Sequence, residues 1–203
     1  MALFILDFDG TIASGNTHNA VAHLTKMDDM WEVIKEIPPI GSSDIWRDTI
    51  RSILVQGHSL AIASFNAYGS TIIPRYLQEV IGLTEQEVQN IHIESWLPLH
   101  PSEANKNEHI AYSIKDMKYT GLPVSIVLVD DDEKNILAAS QKGYKTIQAT
   151  GNYIEHIQHL SEDWNYSAPP NNFIYQFFKA ISISQKKPKD TPTPDSDSNC
   201  IIM

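Results

Sequence analysis

The sequence predicts an α/β protein, a parallel five-stranded sheet flanked by helices, and three observations predict it. Five short apolar runs, near residues 4–8, 60–63, 91–97, 124–129 and 146–149, alternate with segments of helical periodicity, which is the pattern of successive βα units. Three of these runs end in polar or acidic residues: Asp7 and Asp9, then Ser64, then Asp130, Asp131 and Asp132. In an open α/β sheet ligands bind outside the carboxyl ends of the strands, so these residues stand where a substrate arrives. The chain has 203 residues and 42% hydrophobic content, enough for one such core and too little for a second large domain.

The first run, FILDFDGTI at residues 4–12, sets the argument. A buried strand carries two carboxylates at i and i+2 to its end, and Gly10 then supplies a turn that brings Asp9 in over Asp7. Residues 13–41 form a polar, helix-rich excursion, with helices over 17–24 and 28–37, Trp31, Val33, Ile34 and Ile37 as the packing face, and Pro38 and Pro39 as its close. Ser43 caps a helix over 44–56, with Ile45, Trp46, Ile50, Ile53 and Leu54 as its apolar stripe and Gly57 at its end. After the strand that ends at Ser64, Pro74 opens a helix to residue 80. Thr84 and Glu87 form a capping box for a short helix to residue 90.

The sixth helix pattern, 103–119, presents Ile110, Ala111, Ile114 and Met117 to the core and carries Lys106 in its first turn. A lysine there opposes the partial positive charge of the helix N-terminus, which points to an anionic partner. Lys115 and Lys118 lie at the favourable end and are read as solvated. Three adjacent acids at 130–132 repel one another, and a divalent cation is the cheapest way to keep two of them ionised; Asp132 is read instead as the cap of the helix over 133–142. The last strand and a helix over 153–160 complete the pattern, with His156 and His159 on a solvated face.

Composition excludes several classes. The net charge of −10, from 25 acids against 15 bases, favours neither nucleic acid nor an anionic membrane as a global partner. One cysteine forms no internal disulfide and suits a reducing compartment. The first apolar run is too short and too acidic for a signal peptide. The expected organisation is a core at 1–160, a linker and short C-terminal helix at 161–184, and a tail at 185–203. The apolar segment at 173–183 packs on the core or lies on a bilayer. The tail is too polar and proline-rich to fold. It ends in Cys200-Ile201-Ile202-Met203, a C-a-a-X pattern that predicts prenylation of Cys200, farnesyl favoured by the terminal Met, and hence a eukaryotic prenyltransferase as partner. The implied location is the cytosol and the cytosolic face of membranes, for a eukaryotic protein or a bacterial effector secreted into a host cell. Lys186, Lys187 and Lys189 add a modest membrane signal that Asp190, Asp195 and Asp197 oppose.

DFDGT at 7–11, Ser64, Lys106 and Asp130-Asp131 together resemble the four motifs of the haloacid dehalogenase superfamily. IAS at 62–64, NKNEHI at 105–110 and VDDDEKNILAASQKGYKTI at 129–147 are similar to its cap-less magnesium-dependent phosphatases. The resemblance implies a Rossmann-like sheet of order 5-4-1-2-3, Asp7 as nucleophile, Asp9 as acid and base, and Ser64 and Lys106 on the phosphate. It also implies Mg2+ on Asp7, the Asp9 carbonyl and Asp130, with Asp131 in the shell around it. Gly10, Thr11, Phe65 and Asn66 fall beside these positions and are expected to border the substrate. Gly10 stands where that group often has tyrosine, and Phe65 where it often has arginine.

A second acid beside the nucleophile indicates phosphate-ester hydrolysis, since the dehalogenases of the superfamily lack it. The intervals 8–63 and 65–105 are nearly filled by core elements, which leaves no room for a sizeable cap. An open site suits a phosphorylated macromolecule, with small phosphate esters, nucleotides and phosphoinositides as the alternative substrates, and a tethered binding module with a vestigial site as the alternative of another class.

Overall fold

The computed structural model describes residues 1–164, so expectations that fall on residues 165–203, Cys200 among them, lie outside the described residues. The strands are β1 (Leu3–Asp7), β2 (Ser59–Ser64), β3 (Ile91–Ser95), β4 (Ile126–Asp130) and β5 (Lys145–Gln148). They form one parallel sheet in the order β3-β2-β1-β4-β5, the expected order read from the other edge. The helices are α1 (Thr17–Val21), α2 (Met27–Ile34), α3 (Ser43–Val55), α4 (Gly69–Glu79), α5 (Glu85–Gln89), α6 (Asn107–Asp116), α7 (Glu133–Gln141) and α8 (Tyr153–Asp163). No large cap interrupts them, and no described helix is long and apolar enough to cross a membrane.

Strand alternation divides the core in two. Phe4, Leu6, Leu60, Ile62, Val127 and Val129 face one cluster with Trp46, Tyr76 and Ile157. Leu3, Ile5, Ala61, Ala63, Ile126 and Leu128 face the other, with Ile110 of α6 and Ala139 of α7. The three inner strands are therefore apolar without a break, as a sheet covered on both faces requires. The register pairs Leu6 with Ile62 on one side and Val129 on the other, and Asp7 with Ala63, so Asp7, Ser64 and Asp130 emerge together along one rim.

Several boundaries differ from expectation, each for a local reason. Pro74 lies inside α4, which begins at Gly69, because the Asn66 side chain accepts a hydrogen bond from Tyr68 N at 2.8 Å and turns the chain straight out of β2. The helix expected over 103–119 is shorter, and Lys106 is its N-cap residue instead of a first-turn residue. Ser42, not Ser43, caps α3. Val33 and Ile45 are exposed at 39% and 43%, and Ala111 is exposed too; the helical period turns all three away from their apolar neighbours. The last helix runs on to Asp163 past the expected end at residue 160, held there by Ser161, whose carbonyl lies 2.9 Å from His58 Nε2. The capping box of Thr84 and Glu87 is present, Asp132 caps α7, and His156 and His159 are exposed.

Candidate active site

Six of the expected site residues, Asp7, Asp9, Phe65, Lys106, Asp130 and Asp131, line one cleft of about 210 Å³ at the carboxyl rim, together with Asn16, Asp132 and Asn135. At its floor the Lys106 ammonium donates to Asp7 Oδ1 at 2.6 Å and to the Ala63 carbonyl at 2.9 Å. Lys106 is 2% exposed, Asp7 5% and Asp130 0%, so a lysine and two carboxylates share a dry environment in which neither sign is well solvated. Burial pushes the Asp7 carboxyl well above the usual carboxylate range, with Lys106 pulling it down and Asp130 pushing it further up. Burial likewise raises Asp130, to about 6, against the pull of Lys106 and Asn135.

These shifts test whether a cation fits. Oxygens of Asp7, Asp130 and Asp131 lie within 4.8 Å of one another. Burial, and to a lesser degree mutual repulsion, raises all three carboxyls above their ordinary range, and a hard divalent ion bound by oxygen would favour their charged forms. The donor set fits Mg2+.

Gly10 serves this arrangement twice. Its φ is +78°, a conformation that side chains disfavour, and a Cβ there would lie 2.4 Å from Asp131 Oδ2 and 2.6 Å from its Cγ. Asp131 occupies the space that a side chain at position 10 would need. Gly10→Ala is accordingly expected to displace Asp131 and weaken metal affinity by about tenfold or more, at a folding cost of roughly 1–2 kcal/mol. Calorimetric Mg2+ titration checks this, and an unchanged affinity would show that Asp131 stands outside the metal shell.

Asp9 is held by the start of α1. Its Oδ1 accepts from Thr17 N at 3.0 Å and Thr17 Oγ1 at 2.6 Å, at the start of α1. The hydroxyl of Thr17 accepts in turn from Asn66 Nδ2 at 2.8 Å. Burial raises the Asp9 carboxyl above its usual range while the Thr17 bonds oppose it, an environment in which a carboxyl can both give and take a proton. Asn66, expected beside the substrate, is fully buried and spends its side chain on Thr17 and Tyr68, so it orients Asp9 from behind.

Two hydroxyls sit behind the cleft. Ser64 Oγ and Thr11 Oγ1 are buried with no hydrogen-bond partner among the described residues, and Ser64 adjoins Ala63, which holds Lys106. Such an orphaned hydroxyl is costly unless a ligand meets it. The Phe65 ring underlies the Lys106 ammonium at 4.2 Å, a cation–π contact in place of an arginine's charge.

Besides Asn16 at the rim of the cleft, two residues that hold the site together escaped the sequence reading. Asn135 donates to both Asp130 oxygens at 3.0 and 3.1 Å and accepts from Lys106 N at 3.2 Å, joining the Asp130 carboxylate to the lysine. Its signal was a polar residue on the buried face of a helix, beside Ile136. Thr17 gave no signal beyond standing at a helix start.

No protein-family model matches the chain, and no curated protein matches it. Among solved structures it is similar to CbbY from Rhodobacter sphaeroides in complex with phosphate, at a TM-score of 0.50 and 14% identity over 77% of this chain and 89% of that one. It is also similar to a haloacid dehalogenase-like hydrolase from Streptococcus pneumoniae, at 0.47 and 11%, over 78% of this chain and 91% of that one. At such identities the likeness is one of fold, and the fold is the Rossmann-like one of the haloacid dehalogenases.

Proposed function

We propose that the chain is a Mg2+-dependent phosphohydrolase that works through an aspartyl-phosphate on Asp7. The observation that carries this reading is the buried Lys106–Asp7 pair at 2.6 Å facing two further carboxylates that share a possible cation position. Such a floor has a nucleophile and the charge to receive a phosphate dianion. That CbbY was crystallised with phosphate agrees with it.

Bound by Asp7, Asp130 and Asp131, and on family analogy by the Asp9 carbonyl, Mg2+ would supply positive charge that offsets the repulsion between the Asp7 carboxylate and the ester. A bound phosphate draws the Lys106 ammonium from Asp7, which frees a carboxylate oxygen to attack, and the Ser64 hydroxyl gains a partner. Asp7 forms the new O–P bond, the ester O–P bond breaks, and Asp9 gives its proton to the departing oxygen. Asp9 then takes a proton from the water that hydrolyses the aspartyl-phosphate, restoring Asp7 and releasing inorganic phosphate. Thr17 and Asn66 keep Asp9 aimed through both half-reactions.

The cleft is open, and an open cleft buries little of a small ester, so a phosphoprotein or phosphopeptide is the preferred substrate class. Release of phosphate from phosphopeptides, phosphoinositides, nucleotides and p-nitrophenyl phosphate should depend on Mg2+ and stop in excess chelator. Persisting activity with chelator would overturn the metal, and a strong preference for one small metabolite with inert phosphopeptides would overturn the substrate class.

Prenylation of Cys200 would add a reversible tether, since one lipid chain binds membranes only marginally and the basic residues upstream help weakly. Expressed in eukaryotic cells, the wild type should be partly membrane-bound with a prenyl mass on its C-terminal peptide, and Cys200→Ser fully soluble. An unmodified peptide still ending in Met203 would end that part of the reading.

A further inference from the structure

Beside the phosphate cleft, the edge strand and the helix that covers it carry two matching stripes. Alternation along β3 puts His92, Glu94 and Trp96 on the side toward α6, and four-residue spacing along α6 aligns Glu108, Tyr112 and Asp116. Glu94, Trp96, Glu108 and Tyr112 line an open cleft of about 470 Å³. The Trp96 and Tyr112 rings meet edge to face, centroids 6.2 Å apart at 85°. One Trp96 face is taken by His109, stacked at 4.0 Å and 11°, and burial lowers His109 to about 3, so the stack adds no positive charge at neutral pH.

Neither of the two carboxylates has a lysine or arginine partner among the described residues. Glu94, with a side chain only 14% exposed, accepts from the Trp96 indole at 2.7 Å and meets His92 at 3.4 Å. Glu108 has no ion pair among the described residues. Two perpendicular aromatic walls with fixed negative charge at their rim form the arrangement that attracts an alkylammonium or guanidinium group.

We infer that this cleft is a subsite for an organic cation carried on the leaving group of the substrate. An aromatic relay joins it to the phosphate centre: Trp96 stacks on His109, His109 packs on Phe65 at 5.0 Å, and Phe65 underlies Lys106 at 4.2 Å. The subsite rests on the phosphohydrolase reading for its role but not for its binding chemistry. A basic residue beside a phosphorylated one and the ammonium of a phosphorylated amino alcohol share that chemistry.

The test is titration of the full chain with tetramethylammonium, followed by calorimetry or by NMR of the indole N–H groups. Its neutral analogue 3,3-dimethylbutanol is the control. Binding of the cation and not of the alcohol is expected, with Tyr112→Leu and Glu108→Gln each weakening it about fivefold. Both substitutions are at exposed positions, so they keep the test valid if Trp96→Leu does not fold. Equal binding of the alcohol, or affinities untouched by both substitutions, would overturn the subsite. Titration with choline and with Nα-acetyl-lysine methylamide then separates the two sources by which binds more tightly. In the kinetic arm, a phosphopeptide with lysine beside the phosphorylated residue should exceed its norleucine counterpart in kcat/KM, and Tyr112→Leu should erase the difference. Cation binding without any phosphate release would leave the subsite standing and remove the phosphohydrolase; phosphate release without cation binding would do the reverse.

Discussion

Asp7→Asn is expected to lower turnover by roughly 10⁵-fold or more, because an amide oxygen is a poor nucleophile and the other carboxyl at this end of the strand, Asp9, is bound to Thr17. The substitution should leave the fold intact. Asparagine has nearly the same shape, and a neutral side chain at position 7 no longer carries the burial cost and the Asp130 repulsion that raise the Asp7 carboxyl. Rapid acid quench of the wild type with a radiolabelled substrate should trap an acid-stable, hydroxylamine-sensitive phosphoenzyme, and the variant should give none. A labelled Asp7→Asn protein would move the nucleophile elsewhere in the cleft.

Lys106→Met is expected to lose activity almost as completely and, unlike the first variant, to lose stability. It leaves Asp7 and Asp130 buried against each other without their counter-charge, a defect that costs about 3–5 kcal/mol when a buried ion pair loses one member. The pH dependence gives the sign. Both carboxyls lie above their ordinary value in the folded protein, so the protonated forms are favoured on folding. The contribution is present below about pH 4 and lost as pH rises through the folded values, near 6 for Asp130. Metal-free protein should therefore weaken from pH 4 to 7 in urea titrations, more steeply in Lys106→Met, and Mg2+ should restore the wild type. Lys115→Ala, about 13 Å further along the helix, should do neither. Equal losses at the two lysines would undo the assignment of Lys106.

The parts legible in the sequence are those whose signal is local. An apolar run that stops at a carboxylate is visible residue by residue, which is why β1, β2 and β4 and the acids and serine at their ends could be read before any coordinates. The helix around Lys106 was found but started too early, because residues 103–105 have helical composition and nothing local says that the turn at His100 bonds Glu103 and Ala104 instead. Thr17 and Asn135 were missed because their partners lie elsewhere in the fold. Asp9 meets Thr17 through the turn at Gly10, Asn66 arrives from β2, and Asn135 reaches both Asp130 and Lys106 only once α6 and α7 are side by side. Phe65 was read as a departure from a motif, and its ring turns out to support the lysine.

The strand order has a bearing on how the molecule opens. Asp7, Ser64 and Asp130 end the three inner strands, whose backbone ladders are paired on both sides and enclosed by apolar residues on both faces, whereas Glu94 and Trp96 belong to the edge. Amide groups of the inner strands exchange only through near-global unfolding, while an edge strand can detach in a smaller fluctuation. On the proposed function, the nucleophile and the buried acid beside it are thus lodged in the part of the molecule that yields last, and the surface proposed to meet the rest of a substrate in the part that yields first. Such a division lets recognition vary between ligands while the reacting atoms keep their places.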